Sequence, residues 1–374
     1  MIRVQTLTLA FLIFLTFSVL GQSASQFVIK GNVSDGQTGE TLPFAAVFLA
    51  NTTVGTVTND KGDFVLRVPK PGSYDLIIKF AGYKTFIKST QFFEAQTLEV
   101  NAKLEVETRQ MRGVTVTAKK DEKWKRNLED FKRGFLGTSP FARECKILNE
   151  EVIDFYFDEE KNIFEAFASE PLIIENRALG YRIKYVLEGY MVYFNEKYSS
   201  YWGYPSYEEL RGDKKPRAKW LRNREVAYMG SVDHFFSSLF NNKLKEDGYM
   251  VQMAKDVEGK RYLDRNELDL YQFVKPGSTA NSKRLEFENI LYVTYTKELI
   301  PNHMGISVNV SGVPVSGNKQ RSHFFLLEGK TYIEFEQNGY VYNPLDYLVS
   351  DYWGVEKMGD LMPIDYKNTR SANK

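Results

Sequence analysis

The sequence predicts a mainly β protein: a seven-to-eight-strand β-sandwich over residues 26–118, then an α+β domain over 119–374 with an antiparallel sheet and at least two helices. Three observations carry this. Short alternating runs separated by Gly, Pro and Asn turns fill the first part of the chain after its amino terminus. Aromatic residues make up 14% of the sequence, with 23 Tyr and 27 Phe, and broad rings favour half-buried pleated surfaces. Two amphipathic helical patterns then interrupt the β pattern.

Arg3 precedes a run from Leu7 to Leu20 that is apolar apart from Thr8, Thr16 and Ser18, and Gly21-Gln22-Ser23-Ala24-Ser25 follows. This is the layout of a secretory signal peptide over 1–21, with cleavage after Gly21 or one of the next few residues. The run falls short of the roughly 20 apolar residues of a membrane helix. No other stretch is apolar enough, so no transmembrane span is expected in the mature chain. The expected location is the periplasm, the outer-membrane periphery or the outside. The one cysteine, Cys145, permits no intramolecular disulfide, Cys-rich zinc site or iron–sulfur cluster. In Cys145-Lys146-Ile147-Leu148 it reads as a buried small hydrophobe. A formal net charge of +1 provides no overall field for nucleic acid.

The sandwich strands are expected at Phe27–Val33, Ala45–Ala50, Gly55–Thr58, Phe64–Val68, Tyr74–Phe80, Thr85–Lys88, Leu98–Leu104 and Val114–Thr117. Asp35-Gly36, Thr38-Gly39, Asn59-Asp60-Lys61-Gly62 and Pro69-Lys70-Pro71-Gly72 separate them. Gly and Asn accept positive φ and Pro fixes φ, so each is a turn with a mechanism. Tyr74, Leu76, Ile78 and Phe80 share one face and should point into the core. Ile29, Gly31 and Val33 take the inward face of the first strand and turn Lys30 outward, which excludes a self-forming Lys–Asn crosslink there.

An ordered series of motifs runs through this segment. Gly31-Asn32-Val33-Ser34-Asp35 leads to Thr38-Gly39-Glu40-Thr41-Leu42-Pro43 and Ala46-Val47. Gly55-Thr56-Val57-Thr58-Asn59, Gly62-Asp63-Phe64, Ala81-Gly82-Tyr83 and Val114-Thr115-Val116-Thr117-Ala118 complete it. The series resembles the carboxypeptidase-regulatory-like domain, a prealbumin-like, immunoglobulin-like sandwich. That resemblance implies a structural module without catalysis of its own.

Beyond the charged Lys119–Lys123 linker, Trp124, Leu128, Phe131 and Phe135 recur at spacings of four, three and four, one face of a helix that Gly137 can end. Val152–Phe157, Ile163–Phe167 and Tyr181–Phe194 read as strands of a meander. A second helix is expected from Ser231, a capping residue, to about Lys245, with Gly248 as its stop. Strands return at Ile290–Tyr295, His323–Leu327 and Thr331–Phe335. Trp124–Leu128, Pro171–Asn176, Ala178–Tyr181, Tyr352–Lys357 and Leu361–Tyr366 resemble a region that often follows the regulatory-like domain in exported proteins, which implies architecture and no chemistry.

The three histidines, His234, His303 and His323, have Ser237, Ile306 and Leu326 three residues on, so no His-x-x-Glu set for a zinc carboxypeptidase exists. There is no HExxH, Gly-x-Ser-x-Gly or Walker loop. No catalytic, metal or cofactor residue is therefore assigned, and no cofactor is expected. Asp154, Asp158, Glu165 and Glu170 are carboxylates placed only by location, and they leave a hydrolase of unknown type as the alternative. The candidate ligand-binding residues are Tyr198, Tyr201, Trp202, Tyr204 and Tyr207, five aromatics in a Gly- and Pro-containing decapeptide. Such rings either stack on sugars and peptide side chains or cover the sheet as a flap. The expected function is a non-enzymatic cell-envelope protein, associated with the outer membrane. In it the sandwich is a scaffold or docking module and the rest binds a glycan, peptide or envelope protein.

Overall fold

The computed structural model describes residues 27–107, 121–257, 260–299 and 319–366. The expected signal peptide, the expected Val114–Thr117 strand and His303 lie outside the described residues.

The amino-terminal segment is a sandwich of two sheets. One holds β4 (Asp63–Val68), β1 (Phe27–Asp35) and β7 (Thr97–Glu99), with β8 (Ala102–Leu104) also on β1. The other has the order β3 (Gly55–Val57), β2 (Ala46–Leu49), β5 (Gly72–Lys79) and β6 (Phe86–Phe92). Ile29, Val33, Leu76 and Ile78 are fully buried between them, Phe80 packs on that core, and Lys30 is exposed. The expected Leu98–Leu104 strand is two strands. Between them Asn101 Oδ1 accepts from the Asn32 amide at 3.1 Å, and this side-chain bond interrupts the ladder. A Cβ on Gly31 would lie 1.8 Å from the Val100 carbonyl oxygen, so the chain crosses β1 only at glycine. The Asn59 turn closes on itself: Asn59 Oδ1 accepts from the amides of Lys61 and Asp63 at 2.9 Å each, and Gly62 has φ +76°.

α1 (Glu122–Phe135) is capped by Asp121, whose side chain accepts from the Trp124 amide. Its Leu128, Phe131 and Phe135 are buried at the predicted spacing. They pack on a six-stranded sheet made of β9 (Cys145–Ile147), β10 (Ile153–Asp158), β11 (Ile163–Ala168), β12 (Leu172–Asn176), β13 (Tyr181–Tyr193) and β14 (Tyr198–Glu209). α2 (Lys214–Tyr228) follows, a helix the sequence did not announce, because only Trp220, Arg224 and Ala227 of its residues are buried. Arg224 is a buried, fully engaged cation. It donates to the Leu179 and Gly180 carbonyls, pairs with Glu209 and lies 3.9 Å from the centre of the Tyr181 ring.

The expected second helix is two. Asn242 takes φ +57° and separates α3 (Val232–Phe240) from α4 (Leu244–Asp247), while Ser231 caps the first and Gly248, at φ +95°, stops the second. These helices pack on a five-stranded sheet ordered β16 (Lys260–Leu263), β15 (Tyr249–Val257), β19 (Ile290–Leu299), β20 (Lys319–Leu326) and β22 (Tyr347–Asp351). A small sheet of β17 (Val274–Pro276), β18 (Ser282–Glu286) and β21 (Tyr332–Glu336) joins them. After α5 (Tyr352–Val355) the chain returns, and Met358 and Met362 enter the core beneath α1.

The sandwich is fastened to the rest. Asn51 N–H donates to the Pro205 carbonyl at 2.8 Å, Tyr207 N–H to Thr52 at 2.9 Å and Ile364 N–H to Asn51 at 2.8 Å. Asp365 accepts from the Thr53 hydroxyl at 2.6 Å, and Glu336 accepts from the Ser73 amide at 3.0 Å. Phe48, Ala50 and Ile77 of the sandwich form an apolar cluster with Val186.

Candidate functional site

β13 and β14 pair along almost their whole length, with a bulge between Leu187 and Gly189. The aromatic decapeptide is thus a strand, not a flap, and backbone pairing fixes where its rings go. The Trp202 indole lies over Gly189, where a Cβ would approach it to 2.2 Å, and the Tyr185 ring lies over Gly203 in the same way. Glycine at both places lets the rings lie flat on the sheet.

This surface forms one wall of a cavity of about 430 Å³. Tyr201, Trp202, Tyr204 and Tyr207 line it, together with Asn51 and Asp75 from the sandwich, the Tyr340–Leu345 loop, and Asp233 at the start of α3. Glu356 and Asp360 close it from the returning chain. Tyr198 is elsewhere, stacked on Tyr193 with ring centres 4.5 Å apart. Tyr207 is buried against Tyr181, and Tyr201 packs edge-on against Phe135, so both rings also hold the core. Trp202 and Tyr204 stay half-buried.

The cavity's electrostatics follow from burial. Desolvation pushes the Asp233 carboxyl up to about 7. It pushes Asp360 up to about 6, against the opposing pull of the Ser139 hydroxyl and the Lys357 amide. Glu356 is raised well above the usual carboxylate range by burial and then by the charges of Asp360, Asp233 and Glu298. Burial likewise raises Tyr204, Tyr207, Tyr340 and Tyr347, which stay neutral phenols. Asp75 accepts from the Tyr340 hydroxyl at 3.2 Å and the Ser89 hydroxyl at 2.6 Å.

The sequence-placed carboxylates are not in this cavity. Asp158 accepts from the Lys161 amide, Asp154 and Glu165 belong to β10 and β11, and Glu170 lines a separate surface hollow. His234 Nδ1 accepts from the Gly230 amide at 3.1 Å and lies 2.9 Å from the Tyr249 hydroxyl, and burial holds its pKa down. The Cys145 thiol, pushed up to about 12 by burial, donates to the Phe141 carbonyl. Among the described residues no three His, Cys, Asp or Glu side chains converge as for a metal. Asp75, Asp233, Tyr340, Glu356 and Asp360 were missed in the sequence. The one usable signal was the Tyr340-Val341-Tyr342 alternation, since the acids meet only through the fold.

The CarboxypepD_reg-like domain matches residues 29–116, the segment that carries the ordered motifs and the sandwich. No curated protein matches the chain. Solved structures with local likeness include the backbone protein of pilus 2b from group B streptococcus, at 18% identity over 22% of this chain and 41% of that one, TM-score 0.19. A streptococcal ancillary pilin aligns at 11% identity over 51% of this chain and 60% of that one, TM-score 0.20. A protein from Bacteroides uniformis, provisionally described as carbohydrate-binding, aligns at 11% identity over 52% and 83%, TM-score 0.17. The chain spans less than two thirds of the two pilus proteins, and the fold assignment rests on the strand order and motifs above.

Proposed function

We propose that this chain is an exported, non-enzymatic protein of the cell envelope, in which the sandwich is a scaffold and docking module and the seam cavity binds a glycan, a peptide or an exposed segment of an envelope protein. The observation that carries the reading is the cavity itself. It is lined by seven tyrosines and two tryptophans from the second and third parts of the fold, with Asn51 and Asp75 added from the sandwich. Rings already fixed by packing lose little entropy when a ligand stacks on them. Binding there would also report on how the sandwich sits against the rest, since Asn51 and Asp75 are part of the lining. The test is a pull-down from envelope extract with glycan-array screening, comparing the wild-type chain with Trp202→Ala. Trp202 is half-buried, so its removal is expected to abolish capture while the fold survives. Undiminished capture by the variant removes the cavity from the reading.

A second reading, a hydrolase, is favoured by one observation: Asp233 and Asp360 share the cavity with pKa values near 7 and 6, suited to general acid work near neutrality. Turnover of a generic glycoside and ester panel that disappears in Asp233→Asn would select it.

A further inference from the structure

The lining of the seam cavity contains four carboxyl groups, Asp75, Asp233, Glu356 and Asp360, and not one Lys, Arg or His. Among the described residues, Asp233 and Glu356 make no side-chain hydrogen bond and no ion pair. They approach from different elements, Asp233 from the first turn of α3 and Glu356 from just after α5. Around them stand rings whose faces carry negative potential: Trp202 on β14, and Tyr207 and Tyr347, which both feel the charge of Asp233. Ionised acids without a partner in a largely buried cavity are costly to the fold unless something compensates them. A neutral sugar would meet rings and carboxyls, but nothing in it would favour their ionised form. An anion would meet four carboxyl groups and no cation.

We propose that the cavity recognises an organic cation, a primary ammonium or guanidinium, held by Asp233 and Glu356 and flanked by aromatic faces. This deepens the docking reading and rests on it: the bound glycan or peptide is one that presents a basic group. The shared chemistry has two sources, a Lys or Arg side chain and an amino sugar. Binding also moves protons. Asp233 by itself is a neutral acid below pH about 7, and an incoming cation lowers its pKa, so binding releases a proton and tightens as pH rises from 5 to 8. Tyr207, Tyr228, Tyr347 and Glu356 face Asp233 from the other elements; the tyrosines stay neutral over that range, and Glu356 shifts in the same sense. His234 points away, to Gly230 and Tyr249.

The experiment is calorimetric titration of the full chain with Nα-acetyl-lysinamide, Nα-acetyl-argininamide and glucosamine, each beside a neutral counterpart: Nα-acetyl-norleucinamide, Nα-acetyl-citrullinamide and glucose. At least one cation is expected to bind tenfold or more tightly than its counterpart, and which one identifies the source. Asp233→Asn with Glu356→Gln is expected to erase that preference while the circular dichroism spectrum is retained. Titration at pH 6 in two buffers of different ionisation enthalpy should show proton release. Equal binding of the neutral counterparts overturns the cation assignment and leaves the docking reading intact. Absence of any binding, by these probes and in the pull-down, overturns both.

Discussion

Two strands of the sandwich, β1 and β5, make an instructive pair. β1 alternates as a one-sided strand should: Ile29 and Val33 inward, Lys30 exposed. β5 does not. Leu76 and Ile78 fill the sandwich core, but Ile77 between them is also fully buried, packed with Phe48, Ala50 and Val186. The sandwich is therefore not a free module here. Its second sheet has an apolar outer face because another part of the chain is seated on it. A run of Leu-Ile-Ile in a small sandwich is therefore a mark of a covered face.

The seam is most vulnerable at Ile77. Ile77→Asp puts a charge into a sealed seam and is expected to cost about 4 kcal/mol or more, read by urea denaturation. Loss of less than about 1 kcal/mol would mean the seam opens freely. Next comes β1 itself: Gly31→Ala forces a Cβ against the Val100 carbonyl and should cost about 1–3 kcal/mol. That loss belongs to the sandwich alone and should leave the seam cavity's ligand binding unchanged. Asp233→Asn sharpens the contrast from the other side of the seam. Asp233 ionises near 3.8 when exposed and near 7 when buried, so between those values the unfolded chain has shed a proton that the folded chain keeps. Stability from this group falls as pH rises through that window. The variant should exceed the wild type by on the order of 2 kcal/mol at pH 8 and match it at pH 3, measured by denaturation at each pH. The smallest effect is expected at Lys30→Ala, within about 0.5 kcal/mol, because that side chain faces solvent.

Much of this fold is legible in the sequence. Turn chemistry placed the sandwich strands, and the Trp124, Leu128, Phe131, Phe135 spacing placed α1. Ser231 and Gly248 marked helix ends, although Asn242 divided what lay between them. α2 escaped because its buried residues are few and include an arginine, so no apolar stripe marks it. The aromatic decapeptide stood out by its composition, which could not tell a flap from a strand. Pairing with the long β13 decided that, and it sent Tyr198 to one end and its companions to the cavity. The carboxyls of the cavity were invisible for a different reason: Asp75, Asp233 and Glu356 are far apart in sequence and each looks like an ordinary surface acid.

What the sequence settles alone is local: φ preferences at glycine, proline and asparagine, and side-chain alternation or helical spacing, all properties of a few neighbouring residues. Which faces are covered twice, which acids lose their water and which rings become walls were decided only by tertiary structure. Burial is a relation between distant segments, and no local pattern records it.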